Sequence, residues 1–145
     1  MLTEIRGDLF TLDIDALAHG VNCMGVMGAG IAVEFKRRWP VMFHRYRTAC
    51  LNGTLRPGTC LPCAATSPRW IYCLATQPRP GPCAMLPAIE GAVSGMVRHA
   101  RAANVRRIGM PHIGCGFGGL RWDEVRPIVE RASEGIEIIA VEWNR

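Results

Sequence analysis

Two glycine-rich stretches decide how this chain is read: Asn22-Cys23-Met24-Gly25-Val26-Met27-Gly28-Ala29-Gly30-Ile31 and Pro111-His112-Ile113-Gly114-Cys115-Gly116-Phe117-Gly118-Gly119-Leu120. Each follows a short apolar run and leads into a helical pattern, which makes both of them loops at the carboxyl ends of strands. Glycine has no side chain to keep a diphosphate away from the backbone. It also reaches the positive φ values that turn successive N–H groups toward an anion. The helix that follows brings the positive end of its dipole to the same place. Two such loops, about ninety residues apart in one small chain, predict a phosphate-bearing ligand held between them.

Outward from the first loop, residues 16–21 are almost wholly apolar and read as a strand buried on both faces, with a shorter strand at 2–5. Ile31, Val33 and Phe35 with the basic Lys36-Arg37-Arg38 predict a helix over 29–38 ended by Pro40, then a second helix over 41–51. Asn52-Gly53 and Pro57-Gly58 are turn signals before strands at 58–65 and 70–76. Gln77-Pro78-Arg79-Pro80-Gly81-Pro82 cannot be a helix and forms a stiff loop at a strand end. A long amphipathic helix is expected from Leu86 to about Ala103, stopped by Asn104, followed by a strand at 105–110, a helix at 122–133 and a closing strand at 136–141. Strands alternating with helices predict an α/β sandwich whose mostly parallel sheet is covered on both faces.

The chain has 145 residues, 49% of them hydrophobic, which suffices for one core and is too short for two, so 1–145 is read as one domain of monomeric size. No run approaches the ~20 apolar residues of a membrane span. The N-terminus enters a strand directly, so a cytoplasmic protein without membrane contact is expected. Seven cysteines are an odd count, and Cys23, Cys73 and Cys115 sit in segments where a small buried thiol fits, so reduced thiols are expected. Cys60-Leu61-Pro62-Cys63 stands without a second pair, which argues against zinc; neither a metal nor a cofactor is expected.

The net charge is +5, and sixteen of the seventeen basic residues are arginine, leaving Lys36 as the one lysine. Arginine clamps phosphates but is a poor nucleophile, whereas an amine can be tuned to attack carbon. The arginines are scattered, so charge alone leaves the partner open. A P-loop enzyme is excluded because no GxxxxGK[ST] occurs, and the Rossmann pattern lacks its acidic residue. A Cys115 thiolate beside a diphosphate would be disfavoured, so a cysteine nucleophile is not expected.

Three segments suggest a family: Arg6-Gly7-Asp8-Leu9-Phe10, Gly28-Ala29-Gly30-Ile31-Ala32, and Met110-Pro111-His112-Ile113-Gly114-Cys115-Gly116. In order and spacing the chain resembles the macrodomain superfamily from Leu2 to about Val141, within it the branch of glycohydrolases that act on ADP-ribosylated protein and on thymidine-ADP-ribosylated DNA. The resemblance implies a three-layer α/β/α sandwich with a mixed, mostly parallel sheet and a cleft for ADP-ribose. Asp8, with the backbone of Leu9, would accept from the exocyclic amine of adenine; otherwise Asp8 is a turn or cap residue. Met27, Gly28, Ala29, Gly30 and Ile31 would close on the diphosphate from one side, and Ile113, Gly114, Cys115, Gly116, Phe117 and Gly118 from the other. Asn22 and Cys23 would border the distal ribose, with Gly20, Val21 and Thr76 completing the ligand set. Phe117 either covers that ribose or packs in the core.

In the glycohydrolases that this chain resembles, a lysine just after the strand matching 70–76 attacks the anomeric carbon, assisted by an aspartate in the second glycine loop. Gln77 and Gly118 stand at those positions here, and neither can do that chemistry. Lys36 lies on the wrong helix to substitute. The expected activity is therefore hydrolysis by direct attack of water, with Gln77 and Asn22 orienting it, the ligand's diphosphate accepting a proton, and His112 or His19 as acid–base groups; each histidine is otherwise structural. The alternative is a catalytically inactive reader of ADP-ribose. Partners would be ADP-ribose and ADP-ribosylated protein or DNA. Selectivity would come from the 77–82 loop, where Arg79 meets a phosphate or carboxylate, or is a solvated charge.

Overall fold

The apolar run at 16–21 forms the strand around which the others are ordered. The computed structural model describes residues 1–143. Its strands are β1 (Leu2–Gly7), β2 (Ala16–Val21), β3 (Cys60–Ala64), β4 (Trp70–Ala75), β5 (Arg107–Pro111) and β6 (Glu137–Trp143), and its helices are α1 (Ile31–Arg38), α2 (Pro40–Leu51), α3 (Leu86–Ala102) and α4 (Trp122–Ala132). The sheet order is β1-β6-β5-β2-β4-β3. All neighbours run parallel except β3, which is antiparallel to β4. The fold is the expected α/β sandwich with a mixed, mostly parallel sheet.

Alternation along the strands assigns each sheet face to one pair of helices. Ala16 and Ala18 of β2 face a cluster with Ile89, Val93 and Met96 of α3 and Val125 and Val129 of α4. Leu17 and Val21 face Phe35 of α1 and Met42, Tyr46 and Ala49 of α2. Burying such aliphatic and aromatic side chains contributes roughly 1.5–3 kcal/mol each before chain entropy is charged against it.

Local chemistry moves several boundaries from those expected. The first helix begins at Ile31 rather than Ala29, because Gly30 takes φ +62°, outside helical geometry. Pro40 opens α2 rather than merely ending α1: at the first helical position its missing N–H costs nothing, so one residue, Trp39, separates the helices. The strand expected over 58–65 narrows to β3, since Gly58 and Thr59 bond instead around the end of β4 through Ala75. The strand expected from Val105 begins at Arg107, because the Asp15 carboxylate takes the N–H groups of Arg106 and Arg107. β6 runs to Trp143 instead of stopping at 141. Asn104, with φ +57°, follows the α3 end as expected of a left-handed stop residue.

The connections locate the site. From β2 the chain crosses by α1 and α2 to β3 and β4 on one side; from β4 it crosses by α3, on the opposite face, to β5 on the other side of β2. The order of strands reverses around β2, and such a reversal opens a crevice at the carboxyl ends of the strands. Among the described residues, no helix is long and apolar enough to cross a membrane.

Candidate active site

A cleft of about 760 Å³ occupies that crevice, within the range of small-molecule sites. Its floor is made by the strand ends: Gly20 and Val21 of β2, Thr76 after β4, Pro111 of β5 and Val141 of β6. The two glycine loops form its lips. The 77–82 loop contributes Gln77, Pro80 and Gly81.

The first lip is shaped by Asn22. Its Nδ2 donates to the Val26 carbonyl at 2.8 Å, and its Oδ1 accepts from the Met24 N–H at 2.9 Å and from the Tyr46 hydroxyl at 2.9 Å. The hydroxyl of fully buried Tyr46 also lies 2.9 Å from the Asn22 carbonyl, so α2 clamps this loop from beneath. No side chain caps α1. Among the described residues, the N–H groups of Gly28, Ala29 and Gly30 have no acceptor in the protein, and the dipole of α1 points its positive end the same way.

The second lip folds on itself through Leu120 N–H to the Gly114 carbonyl at 3.0 Å and Cys115 N–H to the His112 carbonyl at 3.3 Å. Gly114 has φ +75°, a left-handed backbone that strains any side chain, and an added Cβ would stand 2.6 Å from Ile89 Cδ1, so both conditions favour glycine there. The two lips meet over the cleft, where the Phe117 ring lies against Gly30: a Cβ at 30 would be 3.2 Å from Cε2. Phe117 is 68% exposed and lines the cleft, so of its two expected roles the structure excludes core packing.

Gln77 ties the third segment together. Its Nε2 donates to the Arg79 and Gly81 carbonyls, both at 2.8 Å, which holds the proline-rich loop in a closed turn. The loop is joined to the first lip by Cys23 N–H to the Pro78 carbonyl at 3.3 Å and to the second by Ala84 N–H to the Gly118 carbonyl at 3.1 Å. With its amide nitrogen so engaged, Gln77 leaves Oε1 on the Gly118 side, 3.2 Å from where a Cβ at 118 would stand.

Most of the residues singled out in the sequence therefore line one cleft: Gly20, Val21, Asn22, Met27 through Ile31, Thr76, Gln77, His112 and Ile113 through Gly118. Asp8, Leu9 and Cys23 do not. Asp8 caps the short 3₁₀ turn at Leu9–Thr11, its carboxylate accepting from Phe10 N–H at 2.9 Å, and Leu9 is fully buried beneath it. Cys23 is half-buried behind the first lip, its thiol pushed up to about 11 by burial and by Cys50. His19 is a core residue: it points away from the cleft, stacks on Phe35 at 4.0 Å between centroids, and burial pushes its pKa down to about 3. His112 is in the cleft but stacks on Trp122 at 4.1 Å, and burial holds its pKa below the ordinary value. Gln77 follows β4 and His112 follows β5, with β2 between them, so the two stand about 10 Å apart at ordinary strand spacing. Burial raises the Cys115 thiol to about 11, leaving it protonated at neutral pH.

Sequence reasoning passed over Tyr46, which sits at an apolar-stripe position and carried no signal of its own. It also passed over Glu142 and Trp143, which line the far wall. Their signal was available: β5 and β6 pair in parallel with Pro111 opposite Val141, so residues after 141 must reach the same end of the sheet as His112.

Free N–H groups at the start of α1 suit a diphosphate, and the cleft beyond them suits the sugars and base on either side of one. Comparison with known proteins agrees with that shape. The family model described as Macro domain matches residues 18–129. The chain is 33% identical to a DNA ADP-ribosyl glycohydrolase of Mycobacterium tuberculosis, over all of this chain and 48% of that protein. It is 30% identical to the human ADP-ribose glycohydrolase OARD1, over 94% of this chain and 87% of that protein. The solved macrodomain of Thermus aquaticus DarG superposes with a TM-score of 0.89 at 32% identity, covering 98% of each chain. The chain spans about half the length or less of the DNA ADP-ribosyl glycohydrolases that it matches.

Proposed function

Given that this chain belongs to the Macro domain family, we propose that its cleft binds ADP-ribose and hydrolyses the bond joining the distal ribose to a modified macromolecule, either a protein carboxylate or a thymidine in DNA. The observation that carries the reading is that the two glycine lips line one cleft over the strand ends, with the N–H groups of Gly28, Ala29 and Gly30 left without an acceptor in the protein and the Phe117 ring lying against Gly30. The diphosphate is held by the N–H groups of Gly28, Ala29 and Gly30 on one side and of Gly114 and Gly116 on the other. The distal ribose then lies toward Asn22, Phe117 and Gln77, the end at which the 77–82 loop opens to solvent.

No amine lies at the attacking position, so water is the nucleophile. Gln77 Oε1 accepts one hydrogen of that water; the other proton passes to the ligand's diphosphate as the oxygen bonds to the anomeric carbon and the bond to the base or carboxylate breaks. The anionic diphosphate stabilises the oxocarbenium-like charge that develops. Asn22 acts by holding the first lip in shape, since its carbonyl oxygen and one amide hydrogen are already bonded. His112, on the Trp122 side of the cleft, packs against the ligand and transfers no proton to the same water. The same reading has a monomer working in the cytoplasm without metal or cofactor.

A second reading, a reader that binds ADP-ribose without turnover, is favoured by one observation: the Gln77 amide is spent on closing its own loop. Incubation with glutamate-ADP-ribosylated protein and with a thymidine-ADP-ribosylated oligonucleotide, with free ADP-ribose quantified against a no-enzyme control, separates the two. Release from either substrate supports the hydrolase and names its substrate; tight ADP-ribose binding by calorimetry without release makes the protein a reader.

A further inference from the structure

The charge of this chain is divided in a way its net value conceals. Between residues 35 and 89 there are eight Lys and Arg and no Asp or Glu; the remainder holds nine bases against twelve acids and is net acidic. The uninterrupted basic segment covers the end of α1, all of α2, the edge strand β3, β4 and the 77–82 loop. These elements form one flank of the cleft. Six of the twelve acids lie on β1, α4 and β6, on the opposite flank, where Glu142 reaches the cleft wall.

Three exposed arginines of the basic flank stand on segments fastened to the lips or floor of the cleft. The stem of Arg47 lies against the first lip, with Cγ 3.2 Å from where a Cβ on Gly25 would stand. The same lip bonds through Cys23 to Pro78, and Arg79 follows at the exposed tip of the 77–82 loop. Arg56 sits on a loop fastened to the end of β4 by the Gly58 N–H to the Ala75 carbonyl at 2.9 Å, one residue before Thr76 enters the cleft. Among the described residues none of the three has an ion-pair partner, whereas Arg6, Arg37, Arg38, Arg69, Arg107 and Arg126 all do. An unpaired guanidinium on a rim with no neighbouring carboxylate is suited to a phosphate oxygen.

Resting on the proposed function, we infer that Arg47, Arg56 and Arg79 form a track for the sugar-phosphate backbone of a nucleic-acid strand, which leaves the cleft over this rim while the ADP-ribose attached to it lies inside. The division of charge sets the direction: the strand passes over the α2 and 77–82 side, next to the distal ribose, and is kept from the acidic β6 and α4 side. Each neutralised phosphate releases counterions, so binding through this track weakens with salt, with a logarithmic slope of about −0.7 per contact for a single strand.

The test is fluorescence anisotropy of an unmodified single-stranded DNA oligonucleotide across a salt series, with the full chain and two variants of equal charge change. One is Arg47→Glu/Arg56→Glu/Arg79→Glu; the other is Arg98→Glu/Arg106→Glu/Arg131→Glu, on exposed sites outside the basic segment. The expected result is loss of at least tenfold in affinity and of about two units of salt slope in the rim variant only. The rim variant should also raise KM for the thymidine-linked substrate at least tenfold, with ADP-ribose affinity and release from modified protein unchanged. Equal loss in both variants, unchanged binding in the rim variant, or equally tight binding of a poly-glutamate peptide would each overturn the track. Failure of the hydrolase reading looks different: no substrate releases ADP-ribose, while the oligonucleotide still binds and the rim variant still loses it.

Discussion

Gln77 Oε1 stands 3.2 Å from the position a side chain on Gly118 would first occupy, and the Gln77 amide nitrogen is turned the other way, to the carbonyls of Arg79 and Gly81. One residue thus closes the loop with its donor and faces the cleft with its acceptor. Gln77→Ala removes both. Turnover is expected to fall by at least tenfold, with ADP-ribose affinity by calorimetry within threefold of wild type. Unchanged turnover would remove Gln77 from the reaction.

Gln77→Lys supplies the amine that the resembling glycohydrolases use, in a pocket whose carbonyls favour its protonated form. At about pH 9, where part of a lysine is neutral, borohydride should trap an ADP-ribose adduct on this variant and none on the wild type, read by intact mass. Adduct on the wild type would mean that Lys36 reaches the cleft after all.

The Tyr46 hydroxyl is the one donor shared by the Asn22 carbonyl and side-chain oxygens. Tyr46→Phe leaves the Asn22 carbonyl short of that donor and its side-chain oxygen with the Met24 N–H alone, at a cost of about 1–3 kcal/mol in urea unfolding. ADP-ribose affinity should fall with it, because the lip loses its clamp; Phe at this position with both quantities intact would refute the role.

His19 is fully buried and its pKa is pushed down to about 3 by desolvation. A proton taken up only by the unfolded chain favours unfolding, so this contribution to stability is complete above the unfolded value near 6.5 and is lost as pH falls toward 3. The slope approaches about 1.4 kcal/mol per pH unit. His99 and His112 are lowered in the same sense, so the discriminating measurement is a difference. His19→Leu should flatten the loss of unfolding free energy between pH 6.5 and 5, where carboxylates titrate little. Parallel curves for the two proteins would show that His19 carries no such term.

Gly91 of α3 packs on the loop before β3, where an added Cβ would lie 2.7 Å from the Gly58 carbonyl oxygen. Alanine gains up to about 1 kcal/mol in helix propensity, but forcing a methyl into backbone costs about 1–3 kcal/mol. Net destabilisation is therefore expected for Gly91→Ala in chemical denaturation, and a gain in stability would mean that the Gly58 loop yields freely.

The α/β alternation, both glycine lips and the absence of an amine at position 77 were legible in the amino-acid sequence. Each rests on local chemistry: the period of apolar residues in 16–21 and 86–103, the freedom of glycine at 30 and 114, and the identity of the residue that follows a strand. Asp8 reads locally as either a cap or a ligand contact; the structure shows the cap, with one carboxylate oxygen accepting from the Phe10 N–H. What tertiary structure alone decided depends on contacts between distant segments. His19 and His112 each follow or end an apolar run, yet one stacks on Phe35 inside the core and the other on Trp122 at the cleft, because facing of the sheet is set by which helix covers it. Tyr46 looks like any core aromatic until Asn22, twenty-four residues earlier, is brought above its hydroxyl. The proposed track of Arg47, Arg56 and Arg79 likewise draws on α2, the loop before β3 and the loop after β4, which only the fold brings to the same side of the sheet. Composition and periodicity record what a residue prefers; only the order of the strands around β2 determines which of those preferences act on the same cleft.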